Sequence, residues 1–166
     1  MTMFITGLFD NSEHAGMAVS ELKSKDLAEN LSVIAKDEAG DDSRTHTVEG
    51  DPLHGAKGGA IAGAAVGGLG ALAIGTTAIT IPGLGLLVAG PIATALASMA
   101  GGALTGGLVG SLVDHGVSKD LAEDYEDNIK RGQVLTALTV DNADEVNEIN
   151  SILKAHGAHR VEVFEK

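Results

Sequence analysis

His54 and His115 stand on either side of a long uncharged stretch, beside Asp51 and Asp114. Two imidazoles and two carboxylates could bind Zn²⁺ or another divalent ion if the chain between them folds back on itself. The four lack the short local spacing of ligand sets, so no metal is expected, and they stand as the candidates should one bind. Gly50-Asp-Pro-Leu-His-Gly55-Ala-Lys57 approaches a phosphate-binding loop, but one residue intervenes before Lys57 and no Ser or Thr follows. Gly68-x-Gly70 and Gly83-x-Gly85 lack the third glycine of a dinucleotide fingerprint. With no cysteine there is no thiol nucleophile and no thiolate site. His156 falls on the apolar side of a helix near its end, where partial burial or a dipole contact is the ordinary meaning. The acidic cluster Glu123, Asp124, Glu126 and Asp127 covers a helix face, and its usual meaning is solvation. No catalytic residue, no cofactor and no enzyme activity is expected.

The elements that would position these groups are dominated by one feature. From Gly58 to Val113, 56 consecutive residues carry no Asp, Glu, Lys, Arg or His. The net charge of −12 divides evenly around this run, −6 from residues 1–57 and −6 from residues 114–166. Acidic flanks exclude nucleic acid as a partner, because phosphate binding needs a basic surface. They also oppose docking on anionic headgroups. The four aromatic residues, Phe4, Phe9, Tyr125 and Phe164, all lie outside the run.

The flanks read as two βαβ units. Met3 to Asp10 is a strand, Asp10-Asn11-Ser12 a turn and cap cluster, and Ser12 to Ser24 a helix with Ala15, Ala18, Val19 and Leu22 on one face. Leu31 to Lys36 is a second strand. In the other flank, Ser118 caps a helix running to Arg131 with Gly132 as its stop, and Val134 to Val140 is a strand. Asp141-Asn142 caps a helix with Val146, Ile149, Leu153 and His156 on one face, Gly157 ends it, and Arg160 to Phe164 is the last strand. The units match at an offset of 131, Asp10-Asn11 with Asp141-Asn142 and Leu22-Lys23 with Leu153-Lys154. The expected fold is α+β, a ferredoxin-like sandwich of one four-stranded antiparallel sheet with two helices on one face. Residues 1–50 and 118–166 form this split domain, because each half alone is too small to hold a core. Residues 51–117 are its insertion.

The insertion is expected to be a helical hairpin, with its turn at Pro82, Gly83 and Gly85 and a second break at Gly90-Pro91. Its arms, Gly59 to Thr80 and Leu84 to Val113, would be about 33 and 45 Å long as helices. Both exceed a hydrocarbon core of about 30 Å. Six glycines in the first arm weaken helix and insertion alike, and no Trp or Tyr belt flanks it. Gly59, Gly63 and Gly67 form one row at four-residue spacing, and Gly102, Gly106 and Gly110 another. Such rows leave a flat strip on which a second helix packs closely.

The N-terminal βαβ, the Gly/Ala-rich stretch with Ile81-Pro-Gly-Leu-Gly and Ala89-Gly-Pro-Ile92, and Tyr125-Glu-Asp-Asn-Ile-Lys-Arg-Gly132 leading into Val134-Leu-Thr resemble the general stress protein family of bacteria, 17M-like, heat-induced type. The resemblance spans nearly the whole chain. It implies a stress or stationary-phase context and no reaction, cofactor or catalytic residue. His46 and His54 have no place in that pattern. The expected protein is non-enzymatic and stress-associated, self-assembles, and associates with membrane through its apolar hairpin. Its partners are its own copies and a lipid bilayer, and its place is the cytoplasm at the inner face of the cell membrane. One alternative is a soluble homo-oligomeric particle or filament with the hairpins in a protein-only core. The other is a small-ligand or metal-binding regulatory module.

Overall fold

The computed structural model describes residues 2–36, 78–81, 86–92 and 107–165, of 78–81 the backbone alone. Strands β1 (Met3–Phe9), β2 (Leu31–Lys36), β3 (Ala78–Ile81), β4 (Leu86–Ala89), β5 (Val134–Val140) and β6 (Arg160–Glu165) form one antiparallel sheet. The helices are α1 (Ser12–Ser24), α2 (Gly107–Asp114), α3 (Lys119–Lys130) and α4 (Ala143–Ala155).

Both expected βαβ units are present, β1-α1-β2 and β5-α4-β6. Their helices start on matching caps: Asn11 Oδ1 accepts from the His14 N–H, and Asn142 Oδ1 from the Asp144 N–H. Each side chain satisfies an amide that the first helical turn leaves unpaired. α3 starts on the expected Ser118 cap, and Gly132 and Gly157 follow α3 and α4 with positive φ.

The expected four strands become six, in the order β3-β4-β2-β5-β1-β6. The two extra strands lie inside the stretch expected to be a helical hairpin. Residues 78–81 (AITI) and 86–89 (LLVA) are rich in residues that favour the pleated backbone. Lys36 pairs with Leu86, so β4 continues the sheet from the edge of β2. Ile81 pairs with Leu86, so the chain reverses between them. The expected turn residues Pro82, Gly83 and Gly85 lie outside the described residues.

The second correction concerns layers. Helices cover both faces of the sheet, not one. α1 and α4 enclose Ile5, Phe9, Val19, Leu22, Leu138 and Leu153 against one face. α2 and α3 enclose Phe4, Leu8, Ile34, Leu86, Leu112 and Tyr125 against the other. The central strands record this arrangement: Phe4 to Phe9 are all buried, with none of the inside–outside alternation of a sheet wetted on one face. The face opposite α1 and α4, open to ligands in a two-layer sandwich, is here packed.

Gly90 holds the added hairpin in place. Its φ is +97°, and a Cβ there would lie 2.3 Å from the Leu31 carbonyl oxygen and 2.8 Å from Ser32 Cα. Beyond it the Ile92 N–H donates to the buried Ser32 hydroxyl at 3.1 Å. The break expected at Gly90-Pro91 is therefore a close crossing of β4 over the start of β2.

Candidate functional site

Of the four metal candidates, His115 and Asp114 are described; His54 and Asp51 lie outside the described residues. His115 follows α2. Its Nδ1 is 2.7 Å from the Ser111 carbonyl oxygen, which can only accept, so this nitrogen carries the proton. Its ring packs on Phe4 with centroids 4.7 Å apart. Asp114 is exposed. Among the described residues no group of three or more His, Asp or Glu could hold a metal ion.

Of the glycine rows only Gly110 is described; Gly59, Gly63, Gly67, Gly102 and Gly106 lie outside the described residues. A Cβ on Gly110 would meet nothing within 4 Å, so no described neighbour makes the close approach that the row was expected to provide. Gly110 sits inside α2 at an ordinary backbone angle. Gly110→Ala is therefore expected to stabilise the fold by about 0.5–1 kcal/mol, through the lower backbone entropy of the unfolded chain. Urea unfolding measures this; a loss of stability would show that something seats on Gly110 in solution.

The described polar groups gather in two places, of which the sequence marked only His156, on the apolar side of its helix. The first is the seam between α1 and α4. Glu21 Oε2 meets His156 Nε2 at 2.6 Å, and Lys25 Nζ reaches Glu148 Oε1 at 2.8 Å. His14 stands over the end of α4, where a Cβ on Gly157 would lie 3.2 Å from its Nδ1. Nearby, His159 Nδ1 lies 3.5 Å from Asp10 Oδ1, which also accepts from Gln133 Nε2. These pairs join elements more than 100 residues apart in sequence, which is why no local spacing announced them.

The hydrogen bond from His156, helped by its charge, holds the Glu21 carboxyl below the usual carboxylate range. A depressed carboxylate contributes stability above its unfolded pKa and loses it as pH falls through the lowered folded value. In His156→Ala, the Glu21 carboxyl is expected to titrate closer to its ordinary value, with a shallower acid limb of stability. NMR titration of the Glu21 carboxyl carbon tests this, and an unchanged midpoint would refute it.

The second place is the interior. Thr6 Oγ1 and the Tyr125 hydroxyl lie 2.9 Å apart, both residues fully buried. Burial pushes the Tyr125 phenol above its ordinary range. Thr136 on the other face donates to the Gly7 carbonyl at 3.1 Å. Ser111 Oγ is buried without a partner among the described residues. The Thr6–Tyr125 pair bonds α3 to β1, away from solvent.

The arrangement joins elements. His115 and His156 each hold a neighbouring oxygen within the fold, and the hydroxyl pair is sealed. No helix among the described residues is long and apolar enough to cross a membrane. Comparison with curated proteins and with solved structures gives no match. Residues 79–163, half of the chain, match a family described as a protein of unknown function (DUF1269). The match begins in β3 and runs into β6, taking in α2, α3 and α4. The chain belongs to the DUF1269 family.

Proposed function

We propose that this is a non-enzymatic, stress-associated protein that self-assembles, with acidic domains outward and uncharged chain between copies. The stress context rests on the sequence resemblance alone. Within the sheet, the order β2-β5-β1-β6 with two βαβ crossovers supports a ferredoxin-like reading, extended by the β3–β4 hairpin.

The observation that carries assembly is the amount of uncharged chain beyond what the domain uses. The sheet and its packed helices draw on residues 78–81, 86–92 and 107–113 of the run. Both sheet faces are already covered. Residues 58–77 and 93–106 add 20 and 14 more residues without a charge. Apolar surface on that scale is stable when removed from water, by other copies or by lipid.

The connections favour copies. Lys36 ends β2 and Ala78 opens β3, so both ends of one connection join a single sheet. Leaving and returning on one side of a bilayer takes two crossings of about 20 apolar residues each. The uncharged part of that connection, residues 58–77, supplies one. The second connection, 93–106, is shorter than one. A hairpin with two spanning arms is thus disfavoured, and any lipid contact would be confined to one leaflet.

The test is detergent-free purification with mass photometry and lipid analysis of the same fraction. Lipid-free multimers are expected, and monomers once residues 58–77 are replaced by a short Gly/Ser segment. A monomeric natural chain would overturn the proposal. Vesicles carrying the protein would transfer the apolar contact to the membrane.

A further inference from the structure

The family-matched residues supply β3, β4, β5 and β6 but do not make a continuous sheet. β2 lies between β4 and β5, and β1 lies between β5 and β6. Without them the matched part has two gaps, each one strand wide. One contiguous unit, β1-α1-β2, fills both. It places Phe4, Leu8 and Ile34 in one core and Ile5, Val19 and Leu22 in the other. It is joined to β3 by 41 residues, 37–77. At up to about 3.3 Å per residue, a connection of that length can reach a neighbouring copy's sheet as well as its own.

We infer that the β1-α1-β2 unit is exchanged between copies, the unit of one chain filling the two gaps in the sheet of the next. This rests on the self-assembly reading. Exchanged and closed forms make the same strand pairs and the same core, so their balance is set by concentration. The effective concentration of a chain's own unit falls as its connection lengthens, and copies held against one another raise that of a neighbour's. An emptied sheet exposes unpaired edges on β4, β5 and β6, which capture any copy's unit in the same register. Reciprocal exchange closes a two-fold dimer, and one-way exchange links copies into longer chains.

The absence of cysteine makes the test direct. Lys25 belongs to the exchanged unit and Glu148 to α4, and their side chains meet on the surface. Lys25→Cys and Glu148→Cys full-length chains, differently tagged, are co-expressed and treated with a short bismaleimide, and particle mass is measured on the same sample. A cross-linked dimer containing both tags is expected. Met3→Cys with Glu165→Cys, paired in register on β1 and β6, is expected to give the same dimer as a disulfide. Lys25→Cys with Arg131→Cys, on opposite faces and opposite ends of the sheet, should give none, and an equal yield there would overturn the inference as non-specific contact. Intact particles whose cross-links form only within a chain, in the Lys25→Cys/Glu148→Cys double variant, would overturn exchange and leave assembly standing. Monomers with no cross-link between chains would overturn both.

Discussion

Gly90→Ala is expected to destabilise the fold by about 3 kcal/mol or more, a large fraction of a small domain's total. Two costs combine. A left-handed backbone angle costs a residue with a side chain about 1–2 kcal/mol. The new methyl would also stand 2.3 Å from the Leu31 carbonyl oxygen and 2.8 Å from Ser32 Cα, both of them backbone in β2. Neither atom can turn aside as a flexible side chain would, so β4 or the start of β2 must move. The shift would also stretch the hydrogen bond from the Ile92 N–H to the Ser32 hydroxyl. Urea unfolding at constant slope measures the effect, with Gly110→Ala as the control of opposite sign. A loss below about 1 kcal/mol would show that the crossing relaxes, and would remove Gly90 as the anchor of the hairpin.

The two βαβ units were legible because their signals are local. Asn11 and Asn142 each precede an amphipathic run, and capping needs only neighbours to work. The strands Leu31–Lys36 and Val134–Val140 stand out between turn residues. β3 and β4 were not legible for the reverse reason. A four-residue strand inside a 56-residue uncharged run is too short, and its surroundings too uniformly weak in polarity, for an alternating pattern to show. The face that α3 covers was hidden differently. Ala122, Tyr125 and Ile129 mark a buried stripe on it. Periodicity says that a stripe is buried, not which side of a sheet it meets. The Glu21–His156 pair, its members 135 positions apart in sequence, exists only once α1 and α4 lie side by side.

Removing both members of the Thr6–Tyr125 pair is expected to cost less than the sum of removing each. Tyr125→Phe keeps the ring packed against the core and leaves Thr6 Oγ1 buried without its partner. Thr6→Val keeps the shape of β1 and strands the phenol instead. Each single change should lose about 1–3 kcal/mol, the cost of an unsatisfied buried group. In the double variant neither polar group remains, so the losses should fall short of additive by about 1 kcal/mol or more. Tyr125→Ala, which empties a fully buried site, should lose about 3–5 kcal/mol. Alkaline pH gives an independent reading. The folded chain holds the Tyr125 proton at pH values where an unfolded tyrosine, with pKa about 10, releases it. The resulting stability is complete below that pH and is lost as pH rises through the folded value. Lys25, raised chiefly by its hydrogen bond to Glu148, contributes an alkaline loss of the same sign in both proteins. The Tyr125→Phe variant should therefore unfold along a shallower alkaline limb, while keeping its slope below neutrality. Additive losses in the cycle would mean that the two hydroxyls do not meet in solution and that α3 is held to the sheet by packing alone; identical alkaline limbs would mean that the phenol is not buried.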